Sequence, residues 1–118
     1  MPIYNITKKH QYRLSIIAPD SFISRFIGLL GTTKPYINKV LYINPCSGIH
    51  TLGMQYPIDV IFIDNNNRVS RIFKSLKPFR ITKTNKSDKA VLEFPPGTLS
   101  QISLEIGDLL NIDIDECK

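Results

Sequence analysis

Tryptophan is missing from this chain of 118 residues, so phenylalanine, tyrosine and the aliphatic side chains must supply the bulk of any core. Cysteine is scarce. The two present, Cys46 and Cys117, form neither a CxxC pair nor a zinc-type spacing. In a reducing compartment they are expected as free thiols rather than a bridge, with Cys117 on a frayed end. No apolar run reaches the length needed to cross a bilayer. Lys8 and Lys9 are followed by no apolar stretch of the kind a signal peptide carries, so the expected location is the cytoplasm. Repeats and low-complexity linkers are absent as well, which leaves one domain over residues 1–118.

What is present is ordinary globular composition: 42% hydrophobic and 21% charged residues, which excludes global disorder. The net charge of +5 is unevenly laid out. Arg68, Arg71, Lys74, Lys77, Arg80, Lys83, Lys86 and Lys89 recur at every third position. From Glu93 onward the acids Glu93, Glu105, Asp108, Asp113, Asp115 and Glu116 face one base, Lys118. A period of three matches neither strand nor helix, and Pro78 breaks any continuous helical stripe. With no nucleic-acid motif in sight, the series reads as solvated surface. A cleft for a small anionic ligand beside Lys77 and Arg80 is the functional alternative.

The local pattern is mainly β, with an α+β tendency. Residues 3–6 and 12–18 suit a hairpin around 7–10. Asp20 or Ser21 can cap a helix in which Phe22, Ile23, Phe26, Ile27 and Leu30 recur at helical spacing and Gly31 stops it. Strands are predicted over 40–43, 50–54, 58–64, 68–74, 90–94 and 109–114. Asn65-Asn66-Asn67 and Pro95-Pro96-Gly97 mark turns, and Thr98 is placed to cap one or two helical turns. Short strands, frequent turns and one amphipathic helix near 20–30 predict a small β barrel or sandwich.

The run 46–64 gathers the reactive groups: Cys46, His50, Met54 and Asp59. Cys46, His50 and Met54 suit Cu(I) or Zn by ligand type. On an extended strand, however, Cys46 and His50 stand about 13 Å apart, whereas metal bonds run about 2.0–2.3 Å. Packing roles are the favoured reading, and no metal site is assigned. A cysteine nucleophile meets the same distance objection. A hairpin turning at Gln55-Tyr56 would pair residue 52 with Asp59. His50 and Asp59 would then be diagonal neighbours on one face, about 7–8 Å apart at Cα. Asp59 stands among Ile58, Val60, Ile61 and Phe62, so it must be paired, hydrogen-bonded or cleft-exposed. An Asp that caps the turn at Pro57 through backbone N–H groups is favoured over a general acid/base or an orienter of His50. Glu93 carries the same choice: partner of a lysine, or second carboxylate of a cleft.

Several segments also occur in a telling order: Arg25-Phe-Ile-Gly28-Leu-Leu30, Pro57-Ile-Asp59-Val-Ile-Phe62-Ile-Asp64, Val91-Leu-Glu93-Phe-Pro-Pro-Gly97-Thr98 and Gly107-Asp108. This set resembles the uncharacterised family called domain of unknown function 192, over roughly residues 14–112. The resemblance implies a compact, mainly β domain with a packed helix, and no activity. Many members carry Trp-Met-Lys-Asn-Thr where this chain has His50-Thr51-Leu52-Gly53-Met54. The chain thus resembles a branch with Cys and His-Thr there, while Asp59 and Glu93 match the wider pattern.

The expectation is a small binding or accessory module, with a cleft around His50 and Asp59 and a ligand set of Cys46, His50, Asp59, Glu93, Lys77 and Arg80. A hydrolase-type enzyme using His50 and Asp59, and a soft-metal binder using Cys46, His50 and Met54, are the alternatives. Cofactor and partner are open at this point.

Overall fold

The apolar run 58–63 becomes the centre of the molecule. A computed structural model describes residues 3–17, 39–44, 48–49, 51 and 54–112. The predicted helix at 20–30, Cys46, His50 and Cys117 lie outside the described residues. In chain order the strands are β1 (Ile3–Asn5), β2 (His10–Tyr12), β3 (Ser15–Ile17), β4 (Lys39–Ile43), β5 (Ile58–Asp64), β6 (Val69–Leu76), β7 (Asp88–Phe94) and β8 (Leu110–Ile112). One short helix, α1 (Thr98–Gln101), stands between β7 and β8.

Two sheets form, in the orders β2-β1-β8 and β3-β4-β7-β5-β6. They do not close into a barrel, so the sandwich-like form of the mainly β prediction holds. β5 is buried from Ile58 to Ile63 because both of its faces are covered, which is why, Asp59 apart, it reads as an apolar run rather than an alternating one. One face sends Ile61 and Ile63 into a cluster with Ile3, Tyr12, Val40, Leu92, Phe94, Leu99 and Leu110. The opposite face sends Ile58, Val60 and Phe62 toward Leu41, Ile43, Met54 and Val91. Met54 is thus a core residue, 5% exposed. Each such aliphatic or aromatic side chain contributes about 1.5–3 kcal/mol when fully buried.

Turn chemistry agrees with the chain. Asn67 takes a left-handed φ of 62° and donates its N–H to Asp64 O at 3.0 Å, closing the β5–β6 hairpin. Two local expectations change. Thr51 and Met54, the described residues of the strand expected at 50–54, do not pair with β5, whose two edges are taken by β6 and β7. Instead Ile49 and Thr51 exchange backbone hydrogen bonds with residues 79–82: Thr51 N–H donates to Arg80 O (2.8 Å) and Thr82 N–H to Ile49 O (2.9 Å). Thr98 does not cap α1 either. Its hydroxyl donates to Pro95 O at 2.8 Å, and Gly97 is the N-cap residue with φ 82°.

A buried polar cluster ties the smaller sheet to the 105–108 turn. Asn5, fully buried, donates through Nδ2 to Asp108 Oδ2 (2.8 Å) and Tyr12 Oη (3.0 Å). Tyr12 in turn donates to Ser103 O. Asp108 also accepts Glu105 N–H (2.9 Å) and lies 3.3 Å from Lys8 Nζ. Burial pushes its carboxyl up, but Asn5, the Glu105 N–H and Lys8 outweigh that and hold it below the ordinary 3.8. A lowered pKa stabilises the fold above the unfolded value, and that contribution is lost as pH falls through the folded value. Asp108→Asn should therefore cost about 1–3 kcal/mol at pH 7 in urea denaturation, and progressively less as pH falls below 3.8 and through the folded value, where the wild type loses the same charge.

Candidate functional site

Asp59 is almost fully buried, at 1% exposed, and both of its oxygens are occupied. Oδ1 accepts Ser75 N–H at 2.8 Å, and Oδ2 accepts Leu99 N–H at 2.8 Å. Strand alternation turns Asp59 to the same side as Ile61 and Ile63, where β6 and α1 both reach it. It satisfies one orphan N–H at the start of α1 that the glycine N-cap has no side chain to serve. It also holds Ser75, which sits at φ 55°, an uncommon conformation for a non-glycine residue.

Thr51 does similar work one segment away. It is 0% exposed, and its hydroxyl donates to Lys77 O (2.7 Å) while accepting Arg80 N–H (2.8 Å). Its carbonyl accepts Phe79 N–H at 2.9 Å. Phe79 is the second left-handed residue of this stretch, with φ 61°. Two buried polar side chains thus fix the backbone of residues 75–80 from behind. Such strain persists only where surrounding contacts over-determine it.

The outer side of that backbone is an open groove of about 490 Å³, lined by Ile72, Phe73, Lys74, Ser75, Leu76, Lys77 and Arg80. Three of the seven are cationic and none is acidic. Lys74, Lys77 and Arg80 are exposed and have no ion-pair partner among the described residues. The rest of the period-three series divides differently. Arg71 pairs with Asp88 (2.9 Å) and lies 4.1 Å over the Phe62 ring. Arg68 donates to Gly107 O (3.0 Å), and Lys89 to Asn67 Oδ1 (2.7 Å).

Glu93 projects from the other face of the sheet, in register between Leu41 and Val60. It is 7% exposed and has no hydrogen-bond or ion-pair partner among the described residues. Burial pushes its carboxyl up to about 7.

Two sheets enclosing one core, with a cation-lined groove at the end of an edge strand, define a small β-sandwich domain with an open surface site. The chain belongs to the uncharacterised family domain of unknown function 192 ("Uncharacterized ACR"), whose model matches residues 4–112. A UPF0127 protein of Pyrococcus furiosus is 32% identical over 111 residues, 90% of this chain and 93% of that protein. One from Pyrococcus horikoshii is 33% identical over 111 residues, covering 90% and 94%. Among solved structures, a Sinorhizobium meliloti protein provisionally described as a transcription regulator superposes with TM-score 0.77 at 17% identity, over 93% of this chain and 89% of that one. A Novosphingobium aromaticivorans protein of unknown function gives TM-score 0.74 at 18% identity, over 94% and 84%. At these identities the two structures speak for the fold alone.

The residues singled out in the sequence are therefore distributed. Lys77 and Arg80 meet in one groove. Asp59 supports that groove from behind, through backbone N–H groups rather than toward a cleft. Glu93 lies on the opposite face from Asp59. Cys46 and His50 lie outside the described residues. Among the described residues no group of three or more His, Cys, Asp or Glu is placed to hold a metal, and no helix is long and apolar enough to cross a membrane. Lys74 and Thr51 were missed. The Lys74-x-x-Lys77-x-x-Arg80 spacing carried the first, and nothing local to Thr51 marked the second.

Two outcomes follow from this geometry. Asp59→Ala leaves the buried Leu99 N–H without an acceptor and the part-buried Ser75 N–H to solvent, and should destabilise the fold by about 2 kcal/mol or more, with faster amide exchange at Ser75 and Leu99. For Glu93 the folded pKa is raised, so its carboxyl is harmless below the unfolded value of 4.5 and increasingly costly as pH rises to about 7. Between pH 4 and pH 8 the stability of Glu93→Gln should gain on the wild type by roughly 3 kcal/mol. A difference that stays flat with pH would show that Glu93 is not held protonated.

Proposed function

We propose that this chain is a small binding module whose recognition site is the groove of Lys74, Lys77 and Arg80, and that its ligand is anionic. One observation carries the reading. Three exposed cations converge on a concave surface without a carboxylate, on a backbone that buried Asp59 and Thr51 hold in a fixed, strained path. Prepositioned charge binds at lower entropic cost than charge on a mobile loop. Lys77 and Arg80 are contact residues in this reading, Lys74 joins them, and Asp59 is a positioning residue. Cys46 and His50 stay in the candidate ligand set on sequence grounds. Glu93, on the other face, would act separately. A cytoplasmic location is part of the reading, in keeping with two cysteines at no paired spacing.

Nothing favours the acid/base alternative equally, since both Asp59 oxygens already accept backbone N–H groups. The test is a titration of the ¹⁵N-labelled protein with inorganic phosphate at low ionic strength. Amide shifts should concentrate in residues 72–80, and Lys77→Glu with Arg80→Glu should weaken binding by about tenfold or more, since each reversed charge acts at close range. Equal binding by that double variant would remove the groove from the account.

A further inference from the structure

We infer that the ligand of this groove is a small organic anion whose charged group is joined to an apolar body, an aryl or short-chain phosphate or carboxylate. The inference rests on the anion-binding reading above and names the ligand class. The groove has two kinds of wall. Lys74, Lys77 and Arg80 supply charge, and Ile72, Phe73 and Leu76 supply apolar surface. Those three apolar residues are half-buried, so each offers the groove part of a side chain whose remainder is packed. Ile72 packs against the cluster that holds Ile61 and Ile63. Phe73 and Leu76 pack against the one that holds Ile58, Val60 and Phe62. Each also stands opposite an apolar residue of β5 in register: Ile72 with Ile61, Phe73 with Val60 and Leu76 with Ile58. The Phe73 ring meets Phe62 edge to face, with centroids 6.1 Å apart. The apolar wall is thus an outcrop of the core, fixed before any ligand arrives.

Volume separates such a ligand from a bare anion. The groove holds about 490 Å³, within the range of about 300–1,000 Å³ usual for small-molecule sites. An inorganic oxyanion takes up only a few water volumes of about 30 Å³ each, and leaves most of that space and the apolar wall wet. An apolar body attached to the anion removes that wall from water, and the gain grows with the area it covers. Ser75 adds one hydroxyl to the lining, a group able to donate to a bound oxyanion. The rival account is that the methylene stems of Lys74 and Lys77 cover the apolar wall, as long cationic side chains commonly do. In that case an apolar body adds nothing to binding.

The full chain would be titrated at low ionic strength with inorganic phosphate, glycerol phosphate, phenyl phosphate and phenol, while its methyl and ring resonances are followed by NMR. Phenyl phosphate should bind about tenfold or more tightly than each of the other three. It should also shift the methyl groups of Ile72 and Leu76 and the ring of Phe73. Lys74→Glu with Lys77→Glu should weaken it about tenfold or more. Ile72→Thr should narrow the ratio between phenyl phosphate and inorganic phosphate about threefold or more. If that variant does not fold, the ratio measured on the wild type decides alone. Equal binding of phenyl phosphate and inorganic phosphate overturns the inference and leaves the groove reading standing. Phenol binding as tightly as phenyl phosphate overturns it too, since charge then plays no part. Retention on phosphatidylglycerol vesicles, with shifts in residues 72–80 that phenyl phosphate does not produce, overturns it in favour of a lipid surface. If neither phosphate nor phenyl phosphate shifts residues 72–80, both readings fall.

Discussion

One carboxylate, Asp59, joins three parts of this molecule that are far apart in sequence. It leaves the central strand β5, holds the N–H of Ser75 near the end of β6 and the N–H of Leu99 at the start of α1. A buried carboxylate without partners would be prohibitive in this setting, and two charge-assisted bonds make it a fixed point instead. It holds the left-handed residue Ser75 one position before the end of β6, where the chain turns toward Lys77. Thr51 secures the next few residues by the same means, through its hydroxyl and its main chain. The groove is therefore a surface feature whose shape is set from inside.

The basic residues illustrate how one sequence pattern divides into different physical jobs. Arg71 is held by Asp88 and stacked on Phe62, so its charge is neutralised and one face of its plane is covered. Arg68 and Lys89 brace the β5–β6 turn and the 107 turn. Lys74, Lys77 and Arg80 remain as exposed charge on one concave surface. A strand residue, a residue just past the end of β6 and a loop residue share that surface because Ser75 and Phe79 bend the backbone between them. A regular strand would have sent alternate members to opposite faces.

The sequence made the central strand, its turn and the Pro-Pro-Gly corner legible, because each carries a local chemical signature. The apolar run at 58–63, Asn67 and Gly97 all sit where their chemistry requires. Asp59 was legible as a buried carboxylate with a backbone-capping role. Which backbone it caps was misread: the turn at Pro57 was expected, whereas Ser75 and Leu99 are the partners, brought to it by the sheet order. The pairing of residue 51 was misread for the same reason. Hairpins between neighbouring segments are the local expectation, but β7 and β6 take both edges of β5 and leave Ile49 and Thr51 to residues 79–82. Glu93 was grouped with Asp59 by residue type, and strand alternation separates them to opposite faces.

The central claim is that the buried supports exist to place Lys74, Lys77 and Arg80 around an anion. The most direct measurement is a crystal structure of the protein grown with tungstate, whose anomalous signal locates bound oxyanions without ambiguity. The account predicts a tungstate in the groove, within hydrogen-bonding reach of at least two of the three cationic side chains, with the 75–80 backbone unchanged. Tungstate bound only elsewhere on the protein, with the groove empty, would contradict it.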